Sequence, residues 1–135
     1  MSDVARTHTE VSKELVGEAV QIITGKKAVV KLKTTNIMRV DEKGLVHGGF
    51  TFGLADYAAM LAVNHPYTVL YKANVTFLKP VRVGDVLTAI AEVIKVEGRK
   101  YYVNVEVYKD DKEKVFTGEF LCITLEQHVL DRCND

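Results

Sequence analysis

Between Val46 and Tyr71 lie 26 residues with one formal charge, Asp56, where the chain-wide share of 27% charged residues would place about seven. His47, Gly48, Gly49, Asn64, His65 and Pro66 interrupt the run, so it does not read as a bilayer span. From about His47 to Asn64 it favours a helix. Phe50, Leu54, Ala58 and Leu61 recur at helical spacing, and Ala55, Ala59 and Ala62 add propensity. Pro66 ends it by disfavouring helical geometry at His65. A helix this apolar on every side must be enclosed, so the rest of the chain has to supply walls around it.

The remainder reads as those walls. Val16 to Thr24 and Lys27 to Thr34 have strand composition on either side of Gly25, and Asn36 to Val46 is a connection. After the helix come four strand-like runs: Thr68 to Leu78, Asp85 to Val96, Lys100 to Lys109 and Lys114 to Leu125. In the third, Tyr101, Val103, Val105 and Val107 alternate with Tyr102, Asn104, Glu106 and Tyr108, which predicts one buried sheet face. The links at Val83-Gly84, Glu97 to Arg99 and Asp110 to Lys112 are short, so successive strands are expected to be antiparallel neighbours. The expectation is an α+β fold in the order ββαββββ, a curved antiparallel sheet around one central helix. A single domain spans 1–135, with a core over about 16–125. Residues 1–15 form a polar segment with a short helix from Ser12, and 128–135 a polar tail.

Eighteen basic and eighteen acidic residues cancel, leaving no surplus to drive binding to nucleic acid or to an anionic membrane. The first residues lack the basic-then-apolar order of a secretory signal, and Cys122 and Cys133 fit neither a disulfide framework nor a four-ligand zinc site. A cytoplasmic protein without a bound metal is expected.

Asp56 stands among Phe52, Leu54, Ala55, Tyr57, Ala59 and Met60. A carboxylate in such surroundings escapes the cost of burial by a raised pKa, which suits a general acid or base. The alternative is that it accepts hydrogen bonds from a neighbouring chain or loop and fixes packing. His47-Gly48-Gly49 opens the helix, and its unshielded N–H groups, backed by the helix dipole, are candidates for an oxyanion hole. Alternatively, the glycines only permit a tight approach to a crowded helix, with His47 as its cap. Gly48 and Asp56 are eight residues apart, so about 12 Å separates them along the axis. If both serve one site, two copies must pair so that Gly48 of one faces Asp56 of the other, with Gly53, Ala55 and Ala59 easing the helices' approach.

The run from His47 to Ala58, HGGFTFGLADYA, resembles the HGG-x4-LAD-x-A signature of hotdog-fold acyl-CoA thioesterases of the phenylacetate-pathway, PaaI-like group. Asn74 to Asp85, NVTFLKPVRVGD, is similar to that family's F-L-[KR]-P-x-x-x-G-D segment. The resemblance covers about residues 16–125. It implies a homodimer, in some members paired into a tetramer, that holds an acyl-CoA thioester at the subunit interface. It implies that the Gly48 N–H polarises the thioester carbonyl and that Asp56 of the partner chain attacks it or activates water. No cofactor is implied, coenzyme A being part of the substrate. Lys79, Arg82, Arg99 and Lys100 become candidates for its phosphates. Phe50, Leu54, Tyr57 and Met60 become candidates for the acyl pocket. The family commonly has an amide six residues before the motif histidine. Here Asp41 stands there, with Asn36 as a possible substitute. Dehydratases of the same fold place His and acid further apart, whereas His47 and Asp56 are nine apart. The stretch from Asn74 to Glu119 is also similar to the hotdog domain of malonyl-CoA-responsive repressors, which bind acyl-CoA without cleaving it.

Overall fold

A computed structural model describes residues 2–132; Cys133 lies outside them. The elements are α1 (Lys13–Val16), β1 (Glu18–Ile23), β2 (Lys27–Lys33), a 3-10 turn (Asn36–Met38), α2 (Gly48–Val63), β3 (Thr68–Phe77), β4 (Val86–Glu97), β5 (Lys100–Lys109), β6 (Glu113–Thr124) and a second 3-10 turn (Val129–Asp131). The six strands form one antiparallel sheet in the order β1-β2-β4-β5-β6-β3, folded around α2. From Leu54 to Val63 every helix residue except Asp56 is buried, as an all-apolar helix requires. On β5, Val103, Val105 and Val107 are fully buried and Asn104 is exposed, as the alternation predicts.

The short-link rule fails once. β1 and β2, β4 and β5, and β5 and β6 are neighbours, but β3 pairs with β6, from Thr68 opposite Thr124 to Phe77 opposite Phe116. Residues 78–85 are a crossover, not a hairpin turn. They are pinned across the end of the sheet by the Val46 N–H donating to the Val81 carbonyl. The Thr34 hydroxyl adds bonds to the Arg82 and Asp85 carbonyls. β3 is therefore an edge strand, with β6 as its one strand neighbour among the described residues.

The polar N-terminal segment is tied to the core. Asn64, in a left-handed conformation at the C-terminal cap of α2, is completely buried. It accepts from the Arg6 N–H at 2.7 Å and donates to the Val4 carbonyl and the Thr24 hydroxyl. Residues 4–6 are thereby strapped across the end of the helix.

Gly17 joins α1 to β1 at φ +121, a region L side chains rarely adopt. A Cβ there would lie 2.9 Å from Val30 Cγ1 and 3.0 Å from both Leu54 Cδ1 and the Lys31 carbonyl oxygen. Gly17→Ala combines backbone strain with core overpacking and is expected to destabilise the fold by about 3 kcal/mol. Urea unfolding checks this, and a loss below about 0.5 kcal/mol would contradict the packing described.

Candidate functional site

The stripe Phe52, Gly53 and Asp56 is the part of α2 beyond its first turn that the sheet leaves partly open. Phe52 packs on Phe120 of β6, their ring centroids 5.6 Å apart, so the stripe runs along the β6–β3 side of the molecule. Asp56 Oδ1 is inaccessible to solvent and has no hydrogen-bond partner among the described residues. Burial pushes its carboxyl up to about 6. The group therefore stands poised between neutral and charged forms near neutrality, as a general base or acid requires. Burial first, and then the Asp56 charge, pushes the Cys122 thiol up to about 12, so this neighbour supplies no thiolate.

At the start of the helix, His47 is the N-cap, extended at φ −60 and ψ 131, and its Nδ1 accepts from the Gly49 N–H at 2.7 Å. The Gly49 donor is thereby occupied. The Gly48 N–H has no acceptor among the described residues, so of the two glycines Gly48 is the one free to meet a developing oxyanion. Because Nδ1 accepts, the neutral His47 ring carries its proton on Nε2 and offers a further donor. A cleft of about 300 Å³ lies against Gly48, walled by Thr51, Phe77, Leu78, Lys79 and Pro80. A Cβ on Gly48 would come 3.2 Å from Phe77, so a glycine keeps the cleft's floor low. Thr51 and Phe77 were not among the residues singled out from sequence. The available signals were Thr51 one turn after Gly48 and Phe77 inside the second motif.

Other expected site residues are scattered. Leu54 and Met60 are wholly buried, and Tyr57 nearly so, enclosed in the core instead of lining an open pocket; apolar character alone does not separate the two. The Tyr57 hydroxyl is raised by burial and by the charge of Glu18, which sets it toward β1, away from Asp56. Ala55 and Ala59 are likewise buried within their own chain. Phe50 is half-buried in the first turn of α2. Exposed Asp41 shapes its loop, its Oδ1 accepting from the Lys43 and Leu45 N–H groups. Asn36 begins the 3-10 turn. Lys79 reaches the Gly48 cleft, whereas the Arg82 N–H is held by Asp85 Oδ2. Arg99 and Lys100 sit at the opposite end of the sheet, Arg99 paired with Glu126. Within one chain the structure thus joins Gly48 to Lys79 but brings neither to Asp56. Among the described residues no His, Cys, Asp and Glu group could hold a metal ion, and no helix is long and apolar enough to cross a membrane.

Residues 43–116 match the family model described as the thioesterase superfamily. The chain is 52% identical over 120 residues to a methylthioribose-1-phosphate isomerase of Aquifex aeolicus, covering 89% of this chain but 26% of that protein. It is 32% identical over 130 residues to the transcription factor FapR of Caldanaerobacter subterraneus, covering 96% of this chain and 64% of FapR. The chain thus spans about a quarter and somewhat under two thirds of these relatives. Among solved structures, an uncharacterized protein of Pyrococcus horikoshii, PH1136, shares 56% identity at a TM-score of 0.94, with 97% of this chain and 99% of that one covered. The Escherichia coli PaaI protein of the phenylacetic acid degradation operon shares 26% identity at a TM-score of 0.76, with 84% and 83% covered. The family match extends over more than half of the chain and takes in both the Gly48 turn and Asp56. The chain belongs to the thioesterase superfamily, as a hotdog-fold protein of the PaaI-like group.

Proposed function

We propose that the protein is an acyl-CoA thioesterase, hydrolysing a thioester to free acid and CoA at sites shared between two copies of the chain. The observation that carries this reading is the buried Asp56 Oδ1, without a partner among the described residues, on the partly open stripe of an otherwise enclosed apolar helix. Within its own chain no donor offsets the burial of that oxygen, a cost of about 1–3 kcal/mol that a group from outside the chain, such as a substrate, has to relieve. β3 supports the pairing. It is a ten-residue edge strand with Tyr71 and Phe77 exposed, next to the open stripe of α2, and such an edge is a template for a second strand. Antiparallel pairing of β3 with its copy brings the Gly48 end of one protomer toward the helix stripe of the other. There the Gly48 N–H polarises the thioester carbonyl, while Asp56 from the second protomer activates water or attacks the carbonyl carbon. Lys79 lies on the path to the cleft and suits a CoA phosphate.

A second reading, an acyl-CoA-binding module without turnover, is favoured by the match to FapR along nearly the whole chain. Incubation with CoA thioesters of graded acyl length, followed by free thiol release, separates the two. Saturable hydrolysis of at least one thioester is expected. Binding of acyl-CoA with no thiol release across the panel would replace the enzyme by the module.

A further inference from the structure

Three of the chain's four histidines, His8, His65 and His128, lie at the end of the molecule opposite Gly48. A cleft of about 440 Å³ opens there between the N-terminal strap, the start of β3 and the last 3-10 turn. Its polar lining includes Arg6, His8, Thr9 and His128, and no carboxylate lines it. Arg6 is exposed and forms no salt bridge among the described residues, while nearby Arg99 is already paired with Glu126. The backbone under Arg6 is fixed, because its N–H is held by the buried Asn64. His128 Nδ1 accepts from the Leu130 N–H at 3.0 Å, which leaves the proton of the neutral ring on Nε2, a donor and not a metal ligand. His8 is held at φ +53, an uncommon backbone state for a non-glycine residue, and its Nδ1 shares a 2.8 Å hydrogen bond with the Thr7 hydroxyl. His65 reports the local field. After burial, the positive charges of Arg6 and Arg99 lower its pKa. Besides Thr7 and Thr68, the remaining wall is apolar and aromatic, from Pro66, Tyr67, Val69 and Val129, with Tyr67 39% exposed.

An unpaired guanidinium, imidazole N–H donors and a threonine hydroxyl without a competing acid suit a phosphoryl group. An exposed tyrosine ring beside them suits a base, and the volume is that of a small-molecule site. We infer that this cleft, formed by Arg6, His8, Thr9, Tyr67 and His128, binds the phosphate-bearing end of a nucleotide. The nucleotide is either coenzyme A itself or a separate nucleoside diphosphate, for which ADP serves as the probe. The coenzyme A alternative rests on the thioesterase reading; the cleft does not. In the proposed dimer the start of one β3 faces the end of the other, which would set this cleft beside the partner's Gly48 cleft.

Calorimetric titration of the full chain with coenzyme A and, separately, with ADP tests the inference on wild type, Arg6→Gln and His128→Gln. Both side chains are exposed, so unfolding temperatures should not move. Weakening of coenzyme A binding by about tenfold or more in both variants supports the site and names coenzyme A as its ligand. Unchanged coenzyme A binding with ADP binding weakened to that extent supports the site for a separate nucleotide. Absence of nucleotide binding to wild type, or equal affinities in all three proteins, overturns it. Thioester hydrolysis measured on the same samples shows independently whether the proposed activity stands.

Discussion

Asp56→Asn is expected to lower thioester turnover by at least about 10²-fold while making the folded chain more stable at pH 8. Both effects come from one carboxylate. Its pKa rises from 3.8 to about 6 because burial disfavours its charge. The folded state therefore holds the proton more tightly than the unfolded one. Below about pH 4 both states are protonated and nothing is lost. As pH climbs through 6 the folded chain must carry a buried charge, and the stability that the neutral form contributed disappears. The separation between the two pKa values corresponds to about 3 kcal/mol. Asparagine, which cannot ionise, escapes that loss, so the variant should lead wild type by about 2–3 kcal/mol at pH 8 and match it near pH 4. Wild-type turnover should rise through pH 6 as the base deprotonates. Denaturant unfolding and rate measurements across pH 4 to 8 test both limbs. Undiminished turnover in Asp56→Asn would remove the residue from the chemistry, and a stability difference that ignores pH would remove the buried charge as its cause.

Gly48→Pro is the complementary experiment, and the backbone of the helix start accepts it. Gly48 is the first residue of α2, where proline's missing N–H breaks no helical hydrogen bond, and His47 already has the extended backbone that a following proline imposes. The substitution therefore deletes one donor and keeps the helix, and the Phe77 ring, 3.2 Å from the added Cβ, must shift to admit it. Loss of about 10²- to 10³-fold in turnover is expected, the usual consequence of removing an oxyanion donor. Mixed dimers of Gly48→Pro and Asp56→Asn chains then decide whether the site is shared. One of their two sites would combine an intact Gly48 with an intact Asp56, so each heterodimer should recover about half of the wild-type rate. Verified heterodimers without activity would confine the chemistry to a single protomer.

The parts of this architecture legible in the sequence are those where residue type and spacing act locally. Pro66 ends the helix, the absence of charge around Asp56 demands enclosure, and the valines of β5 declare a buried face. What was not legible depends on distant partners. The residues linking β3 to β4 look like a turn, yet Thr34 and Val46 hold them as a crossover, and no local pattern announces that. Leu54 and Met60 are as apolar as pocket residues are, and only the finished fold shows them sealed. Gly49 carries the same unshielded N–H as Gly48 on paper, but the His47 ring, two residues back, takes it. Asp41 likewise serves its own loop, accepting from Lys43 and Leu45.

Asn64 links residues 40 to 60 positions away with three hydrogen bonds. Contacts of such sequence separation gain nothing until the intervening chain is in place, so the opening segment joins the structure as its closing act. Sub-global opening should begin by reversing that step, releasing the strap while the sheet keeps its grip on α2. One flank of the cleft is thus the wall expected to part first, and any molecule that bridges Arg6 to His128 would act as a clasp, raising protection of the first residues from amide exchange.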